Sequence, residues 1–309
     1  MKILVTGGAG FIGSHLVRQL LADHHEVVIL DNLSTGALEH LPSQGYMLWQ
    51  MDIRDEQVIA QIAAAHFDAI VHLAAQTMVD VSIRDPRLDA SENITGLLNV
   101  LEAARQGQVK RLIFASTAAA YGDVLEQDLP VKEDHKLQPM SFYGLTKVTA
   151  EHYLELYQQL YGLDYVVLRF ANVYGERQGD TGEGGVISIF AKRIAAAEGI
   201  TIFGDGQQTR DFVYAGDIAE GICMALATDQ VNTVYNLSTQ TETSLNALVE
   251  LFSQAAGVPV KPSYGPVRTG DINRSMLCNE KAVGRLGWQP QMTLLEGLRR
   301  TYQYFKTHQ

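Results

Sequence analysis

The segment Thr6-Gly-Gly-Ala-Gly-Phe-Ile-Gly13 constrains this chain more than any other. It follows Lys2-Ile-Leu-Val-Thr6, a short apolar run of the kind that forms a buried parallel strand. It opens onto Ile12, Leu16 and Leu20, with Val17 and Leu21 widening the stripe, and this is helical spacing. Gly7, Gly10 and Gly13 therefore form a G-x-x-G-x-x-G pattern between a strand and a helix. Glycines allow a tight turn and close approach of backbone to a pyrophosphate, and the helix N-terminus adds unpaired N–H groups and a positive dipole end. The plain alternative is a glycine-rich turn with no ligand, and the strand–helix context weighs against it. Gly7, Gly10, Phe11, Ile12 and Gly13 are the expected diphosphate-binding residues.

Further apolar runs at Glu26–Asp31, Tyr46–Gln50, Ala69–Leu73, Arg111–Ser116 and Tyr165–Phe170 alternate with helical stretches near 56–65, 91–106 and 144–161. This alternation predicts an α/β fold with a Rossmann-type doubly wound parallel sheet. After Phe170 the rhythm changes. Glu176 to Gly185 holds four glycines and four charges and reads as a polar loop. Short strands and helices near 186–197, 215–227, 243–256 and 293–305 follow, which predicts a smaller mixed α/β domain. The expected division is 1–170 with 212–236 for the dinucleotide-binding domain, and 171–211 with 237–309 for a substrate-binding domain.

Of the 309 residues, 46% are apolar and 19% charged, enough for a sizeable core. Lys plus Arg total 24 against 35 Asp plus Glu, a formal charge of −11. A chain this acidic is a poor general nucleic-acid binder, and an anionic ligand would need individually placed arginines. Cys223 and Cys278 are too far apart for a metal spacing or a disulfide framework, which fits a reducing compartment. No apolar run approaches about 18 residues, so no membrane span is expected. The first strand leaves no room for a signal peptide, and the expected address is the cytoplasm.

Asp31 closes the second strand, 18 residues after Gly13, with Asn32 beside it. An acid there accepts hydrogen bonds from both hydroxyls of a ribose and repels a 2′-phosphate, which favours NAD over NADP. Asp52 and Ile53 follow the third strand, where an adenine amino group can be met. Leu73, Ala74, Ala75 and Gln76 close the fourth strand with mostly small side chains that let a dinucleotide lie across it. His72 itself reads as a core histidine.

Tyr143-Gly-Leu-Thr-Lys147 places a phenol and an ammonium at i and i+4, on one helix face. A phenol with a pKa of about 10 is a poor base at neutral pH, and nearby positive charge makes it a better one. Such a pair suits removal of a hydroxyl proton while hydride leaves the same carbon. Ser116 and Thr117 follow the fifth strand, where a hydroxyl bridges substrate oxygen and phenol, or merely bonds its own turn.

These residues together resemble the extended short-chain dehydrogenase/reductase family, and within it the branch of UDP-hexose 4-epimerases that interconverts UDP-glucose and UDP-galactose. The likeness runs from Lys2 to about Phe305. It includes His72-Leu-Ala-Ala-Gln76, Ser116-Thr-Ala-Ala-Ala-Tyr-Gly122, Leu168-Arg-Phe-Ala-Asn-Val-Tyr-Gly175, Thr209-Arg-Asp-Phe-Val-Tyr214 and Arg268-Thr-Gly-Asp271. The resemblance implies NAD as cofactor, with Tyr143 as base, Lys147 as its electrostatic partner and Thr117 as the bridging hydroxyl. It places Asn93, Ser116 and Phe170 near the cofactor. It assigns Asn172, Arg210 and Arg268 to the diphosphate of a UDP-sugar, Asp271 to the nucleoside ribose, and Val186 and Phe203 to the nucleoside pocket. It also implies a homodimer paired through 91–106 and 144–161.

The departures narrow the choice. Dehydratase relatives carry Asp-Glu after the catalytic Thr, whereas this chain has Ala118 and Ala119, so elimination lacks a proton donor. No clear extra arginine for a sugar carboxylate appears, which argues against decarboxylation, and another sugar-nucleotide enzyme of the family (a UDP-glucuronate 4-epimerase or decarboxylase, or a dehydratase) is the alternative reading. Phe142 stands where proline often precedes the tyrosine. Ser275 falls near a position where a large aromatic narrows the sugar pocket in some epimerases, and a small residue leaves space for a 2-acetamido group. A non-catalytic NAD-binding protein is the rival of another class, but it would have no need of Tyr143 and Lys147.

Overall fold

The computed structural model of this chain describes residues 1–179, 185–267 and 272–308. In chain order its strands are β1 (Lys2–Thr6), β2 (Glu26–Asp31), β3 (Tyr46–Gln50), β4 (Ala69–His72), β5 (Arg111–Thr117), β6 (Asp164–Phe170), β7 (Asn172–Tyr174), β8 (Thr201–Phe203), β9 (Thr209–Arg210), β10 (Phe212–Tyr214), β11 (Thr233–Leu237), β12 (Thr243–Ser244) and β13 (Ser263–Gly265). Seven of them form one sheet in the order β11-β6-β5-β4-β1-β2-β3, and every pair in it is parallel. The doubly wound sheet expected from the strand–helix rhythm is therefore present. The order reverses between β1 and β4, and in open α/β sheets a ligand binds outside the strand ends at such a switch point.

The helices are α1 (Phe11–Ala22), α2 (Gln57–Ala65), α3 (Val79–Arg84), α4 (Pro86–Ala90), α5 (Gly96–Gln106), α6 (Phe142–Tyr161), α7 (Val186–Ala195), α8 (Ala215–Ala227), α9 (Leu245–Ala256) and α10 (Leu294–Thr307). Alternate residues of each strand serve opposite faces of the sheet. Ile3 and Val5 of β1 join a cluster with Leu16, Val17 and Leu20 of α1 and Ile218 and Ile222 of α8. Leu4 between them joins the other cluster, with Val58 and Ile62 of α2, Leu97 and Leu101 of α5 and Leu154 of α6. A third core, around Phe190, Phe252 and Leu298, packs α7, α9 and α10 together.

The expected helix at 91–106 begins earlier and is not uniform. Asp85 caps α4 by accepting the Leu88 N–H at 3.0 Å, with Pro86 in the first turn. Ser91–Thr95 is then a π-helical turn leading into α5. The wider turn brings Asn93 inward, as described below. At the other end of the site, α6 starts at Phe142, with Ser141 Oγ accepting the Gly144 N–H at 3.0 Å. Phe142 thus sits at the first helical position, where a proline's missing N–H costs nothing, and this explains how the two residues interchange there.

Candidate active site

One cavity opens at the switch point. The glycine loop, the ends of β2, β4, β5 and β6 and the first turns of α6 line it. Gly7 has φ +71°, and a Cβ on it would lie 2.7 Å from Ala74 N, so β1 and β4 meet here without room for a side chain. A Cβ on Gly13 would lie 2.2 Å from Gly7 O. Gly10 caps α1 with no side-chain hydrogen bond, and no acid stands in the first turn. The positive end of α1 is therefore available to an anion in the cavity.

Asp31 ends β2 as a buried carboxylate on the cavity wall. Its Oδ2 accepts the Ala9 N–H at 2.9 Å and its Oδ1 the Leu33 N–H at 2.8 Å. A carboxylate oxygen has about two acceptor positions, so each retains one for a ligand. Asn32, Ile53, Leu73, Ala74, Ala75, Ser116 and Phe170 line the same cavity. Asp52 does too, but it already accepts from Arg54 Nε, Arg54 Nη2, the Arg54 N–H and Asn32 Nδ2, at 2.6–2.9 Å. The Arg54 guanidinium holds its carboxyl well below the usual carboxylate range.

Gln76 and Asn93 are not on the wall. The Gln76 N–H donates to Asn93 Oδ1 at 2.8 Å and Asn93 Nδ2 donates to Gln76 O at 2.9 Å, so the pair braces the β4 loop from behind. His72 is a core histidine. It is buried, 2.8 Å from Thr6 Oγ1 and stacked on Phe114, and burial pushes its pKa down to about 3.

Tyr143, Lys147 and Thr117 line the cavity together. Lys147 is buried, and its Nζ donates to Ala115 O at 2.9 Å. The ammonium lies 4.8 Å from the Phe114 ring centroid and 5.9 Å from that of Tyr143. Burial lowers the Lys147 pKa to about 8, against the opposing pull of Asp89 and Glu151. Thr117 Oγ1 accepts the Ala119 N–H at 3.1 Å, so it does bond its own turn. One accepted bond does not exhaust a hydroxyl, and Thr117 is part of the cavity wall. Ser116 Oγ donates to Glu151 Oε1 at 2.5 Å, and Glu151 is held by Arg169 at 2.5 Å.

The remaining expected residues lie elsewhere. Phe203 lines a second cavity between α7 and β8. Asn172 is exposed on β7, and Val186 opens α7 half-buried. Arg210 Nη1 donates to Thr209 O at 2.8 Å and Ile272 O at 2.7 Å. Ser275 is half-buried outside both cavities. Arg268 and Asp271 lie outside the described residues, as do positions 180–184 of the expected polar loop.

The structure adds wall residues that the sequence reading missed, among them Ser34, Thr35, Thr77, Glu92 and Gln178. Ser34 and Thr35 follow Asp31 directly and could have been found from it. Thr77 and Gln178 had no such signal. Among the described residues, Thr77 Oγ1 and Gln178 Oε1 are buried without a hydrogen-bond partner. Buried polar atoms in native proteins are nearly always bonded, so two orphans in one wall mark it as a ligand site. A glycine loop closed to side chains, an open helix end, an acid at β2 and these orphans all fit a bound dinucleotide.

No helix among the described residues is long and apolar enough to cross a membrane, and no group of three or more His, Cys, Asp or Glu among them could hold a metal ion. Comparison with known proteins agrees with the geometry. The sequence profile of the NAD dependent epimerase/dehydratase family matches residues 3–238. A putative UDP-glucose 4-epimerase of Methanocaldococcus jannaschii is 41% identical, over 99% of each chain. The crystal structure of a UDP-glucose 4-epimerase from Thermotoga maritima with UDP-glucose superimposes with a TM-score of 0.96 at 42% identity, covering 100% of this chain and 99% of that one. The Thermus thermophilus UDP-glucose 4-epimerase in complex with NAD gives 0.91 at 42% identity, covering 99% of each. On this sequence match and this site, the chain belongs to the NAD dependent epimerase/dehydratase family, and NAD is its cofactor.

Proposed function

We propose that this chain is a 4-epimerase of nucleotide-linked hexoses and that its substrates are UDP-glucose and UDP-galactose. The observation that carries this reading is the placement of Tyr143 and Lys147 in the wall that also holds the glycine loop, with the ammonium 5.9 Å from the phenol ring centroid. Bound NAD supplies a reversible acceptor for the hydrogen on C4 of the sugar. The other tasks fall to side chains. Lys147 is fixed by its bond to Ala115 O. It and the positive charge of the oxidised cofactor favour the phenolate, so Tyr143 takes the O4 proton as the C4–H bond breaks. Thr117 bridges the sugar oxygen and the phenol. The 4-keto sugar turns about its link to the diphosphate, and return of the hydrogen and proton to the other face inverts C4. Oxidation and reduction cancel, so no co-reactant is consumed.

Asn172 and Arg210, with Arg268 and Asp271, hold the nucleotide diphosphate and ribose in this reading, and Val186 and Phe203 hold the base. An acidic chain needs such guanidinium donors to bind a dianion. The apolar Ala118 and Ala119 offer no acid for elimination, which favours epimerisation over dehydration. The reading extends to a homodimer, supported by the exposed Leu145, Leu156 and Leu160 along α6, and to the two-domain division at 171–211 and 237–309. Incubation with a panel of nucleotide sugars, followed by proton NMR and mass analysis, tests it. UDP-glucose and UDP-galactose should reach one mixture from either side at unchanged mass, and the N-acetylated pair should do so as well if Ser275 leaves the room expected of it. Loss of water or carbon dioxide, or no conversion of any UDP-hexose, would refute it.

A further inference from the structure

Asp89 lies on α4 with its side chain fully buried. Its Oδ1 accepts hydrogen bonds from Gln76 Nε2 at 2.7 Å and Asn93 Nδ2 at 3.2 Å, and its Oδ2 accepts one from Thr146 Oγ1 at 3.0 Å. Gln76 and Asn93 donate neutral N–H groups to the carboxyl, and the single Thr146 hydroxyl hydrogen is shared between Asp89 Oδ2 and Tyr143 O; burial pushes the Asp89 carboxyl pKa up, against these bonds and the Lys147 charge. A buried carboxylate is costly unless a cation answers it.

A candidate follows Thr146 in the chain. Lys147 is buried as well, and its Nζ donates to the neutral carbonyl of Ala115. A second acid, Glu151, lies one helical turn further along α6. It is already answered, because Arg169 of β6 donates to it from Nη2 at 2.5 Å and from Nε at 3.1 Å. The guanidinium cancels much of the field that Glu151 would exert on Lys147. His72 of β4, on the sheet side, is held neutral by burial. Tyr143 is the remaining titratable neighbour, on α6 itself. On the far side of Asp89, Glu92 of the π-helical turn is answered by Arg54 at 3.6 Å. Asp89, bonded to the chain neighbour of Lys147 and buried with it, is the acid here with no guanidinium partner among the described residues. It also opposes the effect of burial on Lys147 more strongly than Glu151 does.

We propose that Asp89 is a positioning residue for the Tyr143–Lys147 pair, its buried charge keeping the Lys147 ammonium protonated beside the phenol. The inference rests on Tyr143 and Lys147 being the reacting pair. It completes the charge balance of that site. Lys147 and the oxidised cofactor bring two positive charges, the phenolate brings one negative charge, and Asp89 brings the other.

Asp89→Asn removes the charge and little else. The amide oxygen still accepts from Gln76 and Asn93. The Thr146 hydroxyl can turn its one hydrogen to Tyr143 O, 2.9 Å away, and accept from the new NH₂. In protein labelled with [ε-¹³C]lysine and free of substrate, the Lys147 signal is identified by its loss in Lys147→Met. Its titration midpoint should fall by about one pH unit or more in Asp89→Asn, and the alkaline limb of turnover should move the same way. A reciprocal measurement does not depend on that variant folding. The Asp89 carboxyl carbon should titrate at higher pH in Lys147→Met than in the unaltered chain. An unmoved Lys147 midpoint, an Asp89 carboxyl that is neutral at pH 7, or one indifferent to Lys147 overturns the proposal. Failure of the unaltered chain to epimerise any sugar would refute the functional reading and leave these titrations standing.

Discussion

Replacing Tyr143 with Phe removes one oxygen and leaves a ring beside Lys147. If that oxygen is the base, turnover should fall about 10²–10⁴-fold, the range of general acid–base catalysis. NAD content, measured after denaturation and extraction, should stay unchanged, because the ring still fills the cavity wall. Near-normal turnover in Tyr143→Phe would reject the assignment. The residues that made this legible are close together in the chain: Tyr143 and Lys147 share a helix face, and the three glycines share one turn. Thr77 and Gln178 were illegible for the opposite reason. Each is an ordinary polar residue until the fold buries its oxygen and denies it a partner. The hub at Asp89 escaped notice similarly, since its bonds reach Gln76, Asn93 and Thr146 across separate elements.

At the scale of elements, strands and helices were readable because each apolar run matches its period, and the missed detail is one of boundary and pitch. Asp85-Pro86 is a start signal in plain view, but nothing local shows that Ser91–Thr95 widens into a π-helical turn. That turn carries Asn93, whose contact with Gln76 spans 17 residues. The glycine turn gives a sharper test of how elements meet. Gly7 and Gly162 share φ +71°, yet a Cβ on Gly7 would strike the backbone of Ala74 at 2.7 Å, whereas one on Gly162 would meet nothing within 4 Å. Both Gly→Ala variants carry a left-handed backbone cost of about 1–2 kcal/mol. Only Gly7→Ala must also part β1 from β4. Thermal denaturation should show a larger loss of Tm in Gly7→Ala, and only that variant should lose bound NAD. Equal losses would mean that the close approach is not what the glycine serves.

The whole molecule carries a liability to acid. His72 is buried and His15 on α1 largely so, and burial lowers their pKa values to about 3 and about 4, from an ordinary 6.5. The unfolded chain therefore binds protons that the folded chain refuses. The histidine contribution to stability is intact above pH 6.5 and is lost as pH falls through the window from about 6.5 to 4, while burial of Asp211, which raises its carboxyl pKa to about 6, works in the opposite sense. The slope is on the order of 1.4 kcal/mol per pH unit for each histidine at most. Across that window His72→Gln, which can still accept from Thr6, should lose less Tm on acidification than the unaltered chain. An acid sensitivity of Tm identical in His72→Gln and the unaltered chain would contradict the burial of His72. The interlocking of parts also limits redesign. Asp31 tethers the main chain at Ala9 and Leu33 while it faces the ligand. Exchanging it to admit a phosphorylated coenzyme would untie the loop that grips the rest of that coenzyme, so such a switch demands a replacement tether along with the new recognition group.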